Sequence, residues 1–208
     1  MKTIERIILF LALAVLCPLI GFLAGWWFFY LLLPDARILI PVFFGMGLGF
    51  LANFFFLKRW MNQAHQMSLW IWAAFYGFYM IGVFGFFMGV PIFNIFLGIP
   101  AGILMAGRLV EYKAEPAQME KIALRTAWFT TGVLSLVCLA SAVLALRDPY
   151  TAGNLEGMLA LPFEVTQPMI WALILTGGLG LLAGQWLLTF LTTKISFSAL
   201  SRGMRLSD

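Results

Sequence analysis

Three carboxamides, Asn53, Asn94 and Gln185, stand in long apolar stretches of this chain, together with hydroxyl residues such as Thr130, Thr131, Ser135, Ser141 and Thr176. A carboxamide donates and accepts hydrogen bonds but neither takes up nor releases a proton near neutral pH. The chemistry open to such a set is recognition of a neutral solute, not proton relay. The acids agree with this by position. All nine (Glu5, Asp35, Glu111, Glu115, Glu120, Asp148, Glu156, Glu164 and Asp208) fall in predicted loops or tails. Intramembrane carboxylates are the usual mark of ion-coupled carriers, so no ion-coupling residue is expected here. Metal and redox chemistry are not expected either. His65 is the single histidine and lies in the polar stretch KRWMNQAHQM, and Cys17 and Cys138 are isolated without a Cys-x-x-Cys spacing. No Gly-x-Ser-x-Gly or phosphate-binding loop occurs, and no cofactor is expected. An enzyme would have to use loop groups such as Glu111, Tyr112, Lys113 and Glu115, or Asp148, Asn154, Glu156 and Glu164.

The backbone supplies the other candidates. Residues 89–108 read GVPIFNIFLGIPAGILMAGR, uncharged until Arg108. Gly89-Val90-Pro91 suits a turn, whereas Pro100 falls well inside an apolar run and should kink a helix, as should Pro18. Each proline deprives a carbonyl of its helical partner, and that carbonyl then needs a neighbouring helix, water or a ligand. Proline- and glycine-interrupted spans point to transporter binding sites. The candidate ligand-binding set is therefore Pro18, Gly21, Asn53, Asn94, Gly98, Pro100 and Gln185. Asn53 and Gln185 occupy nearly equivalent places in a repeated string and are expected to bond to each other. Asn94 is expected near a surface, either at the mouth of a cavity or holding a hairpin. Thr131 and Ser135 are expected to bond back to their own helix.

The elements that must position these groups follow from composition. The chain is 62% hydrophobic and 11% charged, with a mean hydropathy of +0.96. Soluble domains carry about 25% charged residues, so water is the wrong solvent for most of this one. A bilayer core about 30 Å thick takes roughly 20 apolar residues per helix. The predicted fold is an all-α integral membrane protein, a single transmembrane domain over 1–208 with six spans at about 7–33, 38–57, 69–88, 91–110, 123–146 and 169–193. The first run could pass for a signal peptide, but its apolar stretch continues through WWFFYLLL and is read as a retained span.

Basic residues favour the cytoplasmic side of short loops. With both termini inside, eleven of the thirteen Lys and Arg residues fall on that side, leaving Arg37 and Arg147 outside. The string Gly-x-x-Ala-x recurs at 21–25, 49–53, 98–102 and 180–184, and three of the four have glycine at both ends, the small-xxx-small spacing of closely packed membrane helices. Spans two, four and six begin near Pro41, Pro91 and Pro168 and carry the string, suggesting three related hairpins; an inverted three-plus-three repeat is the other arrangement. The charged loop 108–122 offers a docking place for a partner protein. The loop 147–168 starts as a polar turn and becomes apolar at MLALPF, as a segment in the headgroup interface would.

Together these features point to a small permease or substrate-binding transport subunit for a neutral or lipophilic solute, in a bacterial or archaeal plasma membrane. Its expected partners are membrane lipids, a protein at 108–122 and a second copy of itself, with no nucleic acid. The alternatives are a non-catalytic membrane scaffold or assembly factor and an interfacial lipid-modifying enzyme.

Overall fold

The computed structural model describes residues 2–32, 39–87 and 89–205. The predicted turn at 34–37 and Met88 of the next one lie outside the described residues. Among those described, seven α-helices and two 3₁₀ segments occur and no strand. The helices are α1 (Lys2–Leu32), α2 (Leu39–Gln63), α3 (Leu69–Phe86), α4 (Gly98–Glu111), α5 (Pro116–Arg147), α6 (Thr151–Leu159) and α7 (Gln167–Arg205), with 3₁₀ turns at Ala64–Gln66 and Pro91–Leu97. Six segments are long and apolar enough to cross a membrane: Thr3–Trp27, Ile40–Gln66, Leu69–Phe86, Pro91–Glu111, Pro116–Arg147 and Gln167–Arg202.

Polarity is distributed opposite to that of a water-soluble core. Phe54, Trp70 and Phe86 are more than 80% exposed, while Asn94, Gln185, Thr189 and Thr193 are 0% exposed. Hydrocarbon accepts the large apolar side chains, and helix interfaces collect the groups that need hydrogen-bond partners.

The chain forms two compact units, Met1–Trp72 and Ala73–Asp208. In the first, α1 and α2 make an antiparallel hairpin with their backbones in contact. A Cβ on Gly21 would strike the Gly45 carbonyl, one on Gly25 would lie 2.5 Å from the Pro41 oxygen, and one on Gly49 would lie 2.6 Å from Pro18 Cα. Only glycine permits that approach at these positions. The polar ends of the hairpin are tied by His65 Nε2 and Glu5 Oε1 at 3.1 Å, and Trp72 Nε1 donates to the Ala64 carbonyl at 3.1 Å.

In the second unit, Met80, Leu134 and Val137 form a core with Tyr76, Phe84, Leu97, Leu181 and Leu182 around it. The chain turns from α3 into the 91–97 segment through Gly89, whose φ of +85° suits glycine, and Ser141 Oγ donates to the Gly89 carbonyl at 2.7 Å. The expected mid-helix kink at Pro100 is not what forms. Residues 91–97 are 3₁₀, the α-helix begins at Gly98, and Pro100 stands in its first turn, where an N–H has no helical partner to lose. The charged loop predicted at 108–122 is also mostly helix: α4 runs to Glu111 and α5 starts at Pro116. Between them Lys113 adopts φ 50°, with Ala114 N–H donating to the Leu109 carbonyl at 3.0 Å. A left-handed residue with a Cβ is strained. Lys113→Gly is therefore expected to raise stability by about 0.5–1 kcal/mol, read as a later midpoint in a denaturant titration of the detergent-solubilised protein. The 147–168 loop contains a helix, α6, whose Glu156 Oε1 accepts from Val165 N–H at 2.5 Å.

Candidate binding site

The seven sequence candidates divide between the two units. Pro18, Gly21 and Asn53 lie in the first, where their roles interlock. Pro18 has no N–H, so the carbonyl of Ala14, four residues earlier, loses its helical donor. Asn53 Nδ2 of α2 donates to that carbonyl. A neighbouring helix thus supplies the missing partner, and α1 runs unbroken through Pro18. Gly21 lines an apolar groove of about 740 Å³ on this hairpin, shared with Cys17, Gly25, Pro41, Gly45 and Gly49 among others.

Asn94, Gly98, Pro100 and Gln185 lie in the second unit, and there a polar cluster assembles. Gln185 Nε2 of α7 donates to Tyr76 Oη of α3 at 2.9 Å and approaches Thr189 Oγ1 at 3.5 Å. Thr189 and Thr130 of α5 share a hydrogen bond at 3.0 Å, and Thr130 lies near the Tyr76 hydroxyl. Four side chains from three helices gather in a ring inside the apolar bundle. The fourth helix passes it at Gly98, where a Cβ would lie 2.6 Å from Thr189 Oγ1 and 2.9 Å from Gln185 Nε2. Glycine is what lets α4 reach the ring.

Asn94 docks one turn along the same helix, α3: its Nδ2 donates to the Met80 carbonyl at 2.7 Å and lies 3.4 Å from Met80 Sδ. The hairpin role anticipated for Asn94 is therefore present. The position at a cavity mouth is not, because Asn94 is fully buried. Asn53 and Gln185, expected to bond to each other, lie in different units, and each donates within its own. Ser135 bonds back to its helix at Gly132, but Thr131 Oγ1 is buried without a partner.

The spare atoms give the cluster its chemical character. Asn94 Oδ1 and Gln185 Oε1 are buried with no donor, as is Asn53 Oδ1 in the first unit. At Asn94 the assignment is forced, because the Met80 carbonyl can only accept, so the nitrogen must face it. At Gln185 the amide can turn over against the Tyr76 hydroxyl, which exchanges the spare atom and still leaves one. An unmet polar atom in hydrocarbon costs several kcal/mol. The cluster is neutral throughout: Asn94, Gln185, Tyr76, Thr130 and Thr189 carry no charge, and among the described residues no group of three or more His, Cys, Asp or Glu side chains comes together. Such an arrangement offers polar contacts to a neutral ligand without attracting ions.

Sequence reasoning passed over Tyr76, Thr189 and Thr193. The signal for the last two is their spacing from Gln185, at four and eight residues, which puts all three on one helix face. Tyr76 is concealed in the aromatic run WIWAAFYGFYM, where the hydroxyl is one polar atom among rings. Comparison of the chain with protein-family models, curated proteins and solved structures gives no match.

Proposed function

We propose that this protein is a small membrane permease or substrate-binding transport subunit for a neutral solute that carries at least one hydrogen-bonding group, such as a hydroxyl or an amide. The observation that carries the reading is Gln185 Oε1, fully buried and without a donor in a ring whose other hydrogen-bonding groups are matched. Asn94 Oδ1, on the 91–97 segment that docks on α3, offers a second buried acceptor in the same unit. In this reading the protein sits in the plasma membrane of a bacterium or archaeon, as three related hairpins with both termini cytoplasmic. The turn between α4 and α5 then faces a cytoplasmic partner, and lipids or a second copy surround the bundle. The missing ion-coupling residue suits a component driven by that partner.

Native mass spectrometry of the protein, gently extracted from its own membrane, tests this. The expected result is a stoichiometric small-molecule adduct, held roughly tenfold less tightly by Gln185→Leu, the worth of one neutral hydrogen bond. An adduct unaffected by Gln185→Leu and Asn94→Leu, or none at all, contradicts the reading.

A second reading has its own observation. The groove on the α1–α2 hairpin is apolar and walled by glycines, as a surface for another membrane helix would be. A scaffold of this kind would keep its protein partner in Gln185→Leu and lose it when the groove is filled, for example by Ala24→Leu.

A further inference from the structure

The ring at Gln185 is one end of a longer polar line. Gln185, Thr189, Thr193 and Ser196 succeed one another on a single face of α7, all 2% exposed or less. Eleven residues at about 1.5 Å each carry this line roughly 16 Å, more than half of a bilayer core. Opposite it, α4 presents little side chain. A Cβ on Gly102 would meet the Thr189 carbonyl oxygen at 2.9 Å and Thr193 N at 3.0 Å, and farther along, Ala106 packs with Leu200. Between Thr189 and Thr193 the hydroxyl line is met by α4, with α5 touching it at Thr189, and α4 is short and jointed at both ends. It is 14 residues long, entered by the change from 3₁₀ to α at Gly98 and left by the Tyr112–Glu115 turn with Lys113 at φ 50°. Element ends of this sort absorb backbone rotation in hinge motions. Thr193 bonds back to the Thr189 carbonyl at 2.7 Å, so its hydroxyl is satisfied while the line is covered.

We infer that the α4–α7 seam is the route of a neutral, hydroxyl- or amide-bearing solute, and that α4 is its gate. The inference rests on the reading of the Gln185 ring as a solute site and extends it: α4 swings away from α7 about its two ends, and the hydroxyl line replaces water around the solute as it passes. Uncharged hydroxyls favour such a solute over an ion, which would need compensating charge at this depth.

Water access to the seam can be measured without knowing the solute. In a background with Cys17 and Cys138 replaced by alanine, single cysteines are introduced by Thr193→Cys and Ser196→Cys on the seam. Leu191→Cys and Ile195→Cys, at positions 48% and 65% exposed to the surroundings, are lipid-facing references. The full-length protein in liposomes is treated with a charged, water-soluble methanethiosulfonate, which reacts with the thiolate and so only where water reaches. The expected result is one reagent adduct per chain at Thr193→Cys and Ser196→Cys and none at the references. An added Ala106→Cys/Leu200→Cys disulfide, joining α4 to α7, should abolish the Thr193→Cys adduct. Seam cysteines as inert as the references, in protein whose helicity and size match the parent, overturn the route. Labelling that persists with the tether closed overturns α4 as the gate. Labelling with no solute ever found bound would remove the proposed ligand and leave the route standing, while a bound solute with inert seam cysteines would do the reverse.

Discussion

A Gly45→Leu protein is expected to lose at least about 3 kcal/mol of stability, the upper range for overpacking, because nothing at the contact can move aside except backbone. A Cβ on Gly45 would run into the Gly21 carbonyl and come within 3.4 Å of Gly25 Cα. Rotamer changes relieve a clash with a side-chain tip but not with a main-chain oxygen, so α1 and α2 must separate. Separation also forfeits the dispersion contacts that hold membrane helices together without a hydrophobic driving force. Gly47→Leu, two residues along the same helix, is the control. Nothing lies within 4 Å of a Cβ there, and the change should be neutral or stabilising by up to about 1 kcal/mol through helix propensity. Unfolding by sodium dodecyl sulfate, followed by circular dichroism, compares the two. Equal effects would mean that the hairpin is not held by backbone contact.

The second large effect is a coupling. Asn53→Leu leaves the Ala14 carbonyl with neither the N–H that Pro18 lacks nor the amide that replaced it, and should cost about 1–3 kcal/mol. Pro18→Ala restores a backbone N–H at the position that serves this carbonyl. In the Pro18→Ala background, Asn53→Leu should therefore cost much less, and the double-mutant cycle should show a coupling of about 1 kcal/mol or more. Additive effects would show that Asn53 is not the partner of the carbonyl that the proline frees.

These two cases show what was legible beforehand. The apolar runs located all six segments long and apolar enough to cross a membrane, since length and hydropathy alone set them. The glycine strings marked three real contacts, at Gly21/Gly25, Gly49 and Gly98/Gly102, yet the same string at 180–184 is different: Gly180 has open space where a Cβ would go and only Gly184 meets a neighbour, Ile95. Spacing identifies a face suited to close approach but does not say which helix will occupy it. For the same reason the proline at 18 could be read as leaving a carbonyl short, while its partner, 39 residues away on another helix, could not. Helix ends were misplaced wherever charge was taken as the end of a span. Lys121, Lys194 and Arg202 all continue helices α5 and α7, because hydrogen bonding to the next turn does not stop at the edge of the hydrocarbon. Of the site, Asn94, Gly98 and Gln185 were visible as odd residues in apolar surroundings. The ring that joins Gln185 to Tyr76, Thr130 and Thr189 depends on three helices meeting at one level, which only tertiary packing decides.

The spare polar atom of the Gln185 amide, in this account, serves a ligand. The most direct measurement is a high-resolution cryo-electron microscopy map of the protein, carried from its native membrane into nanodiscs without detergent exchange. The account predicts non-protein density larger than a single water within hydrogen-bonding distance of the Gln185 amide, facing Tyr76 and Gly98. A ring with that amide closed on a protein donor, or on one isolated water, would contradict it.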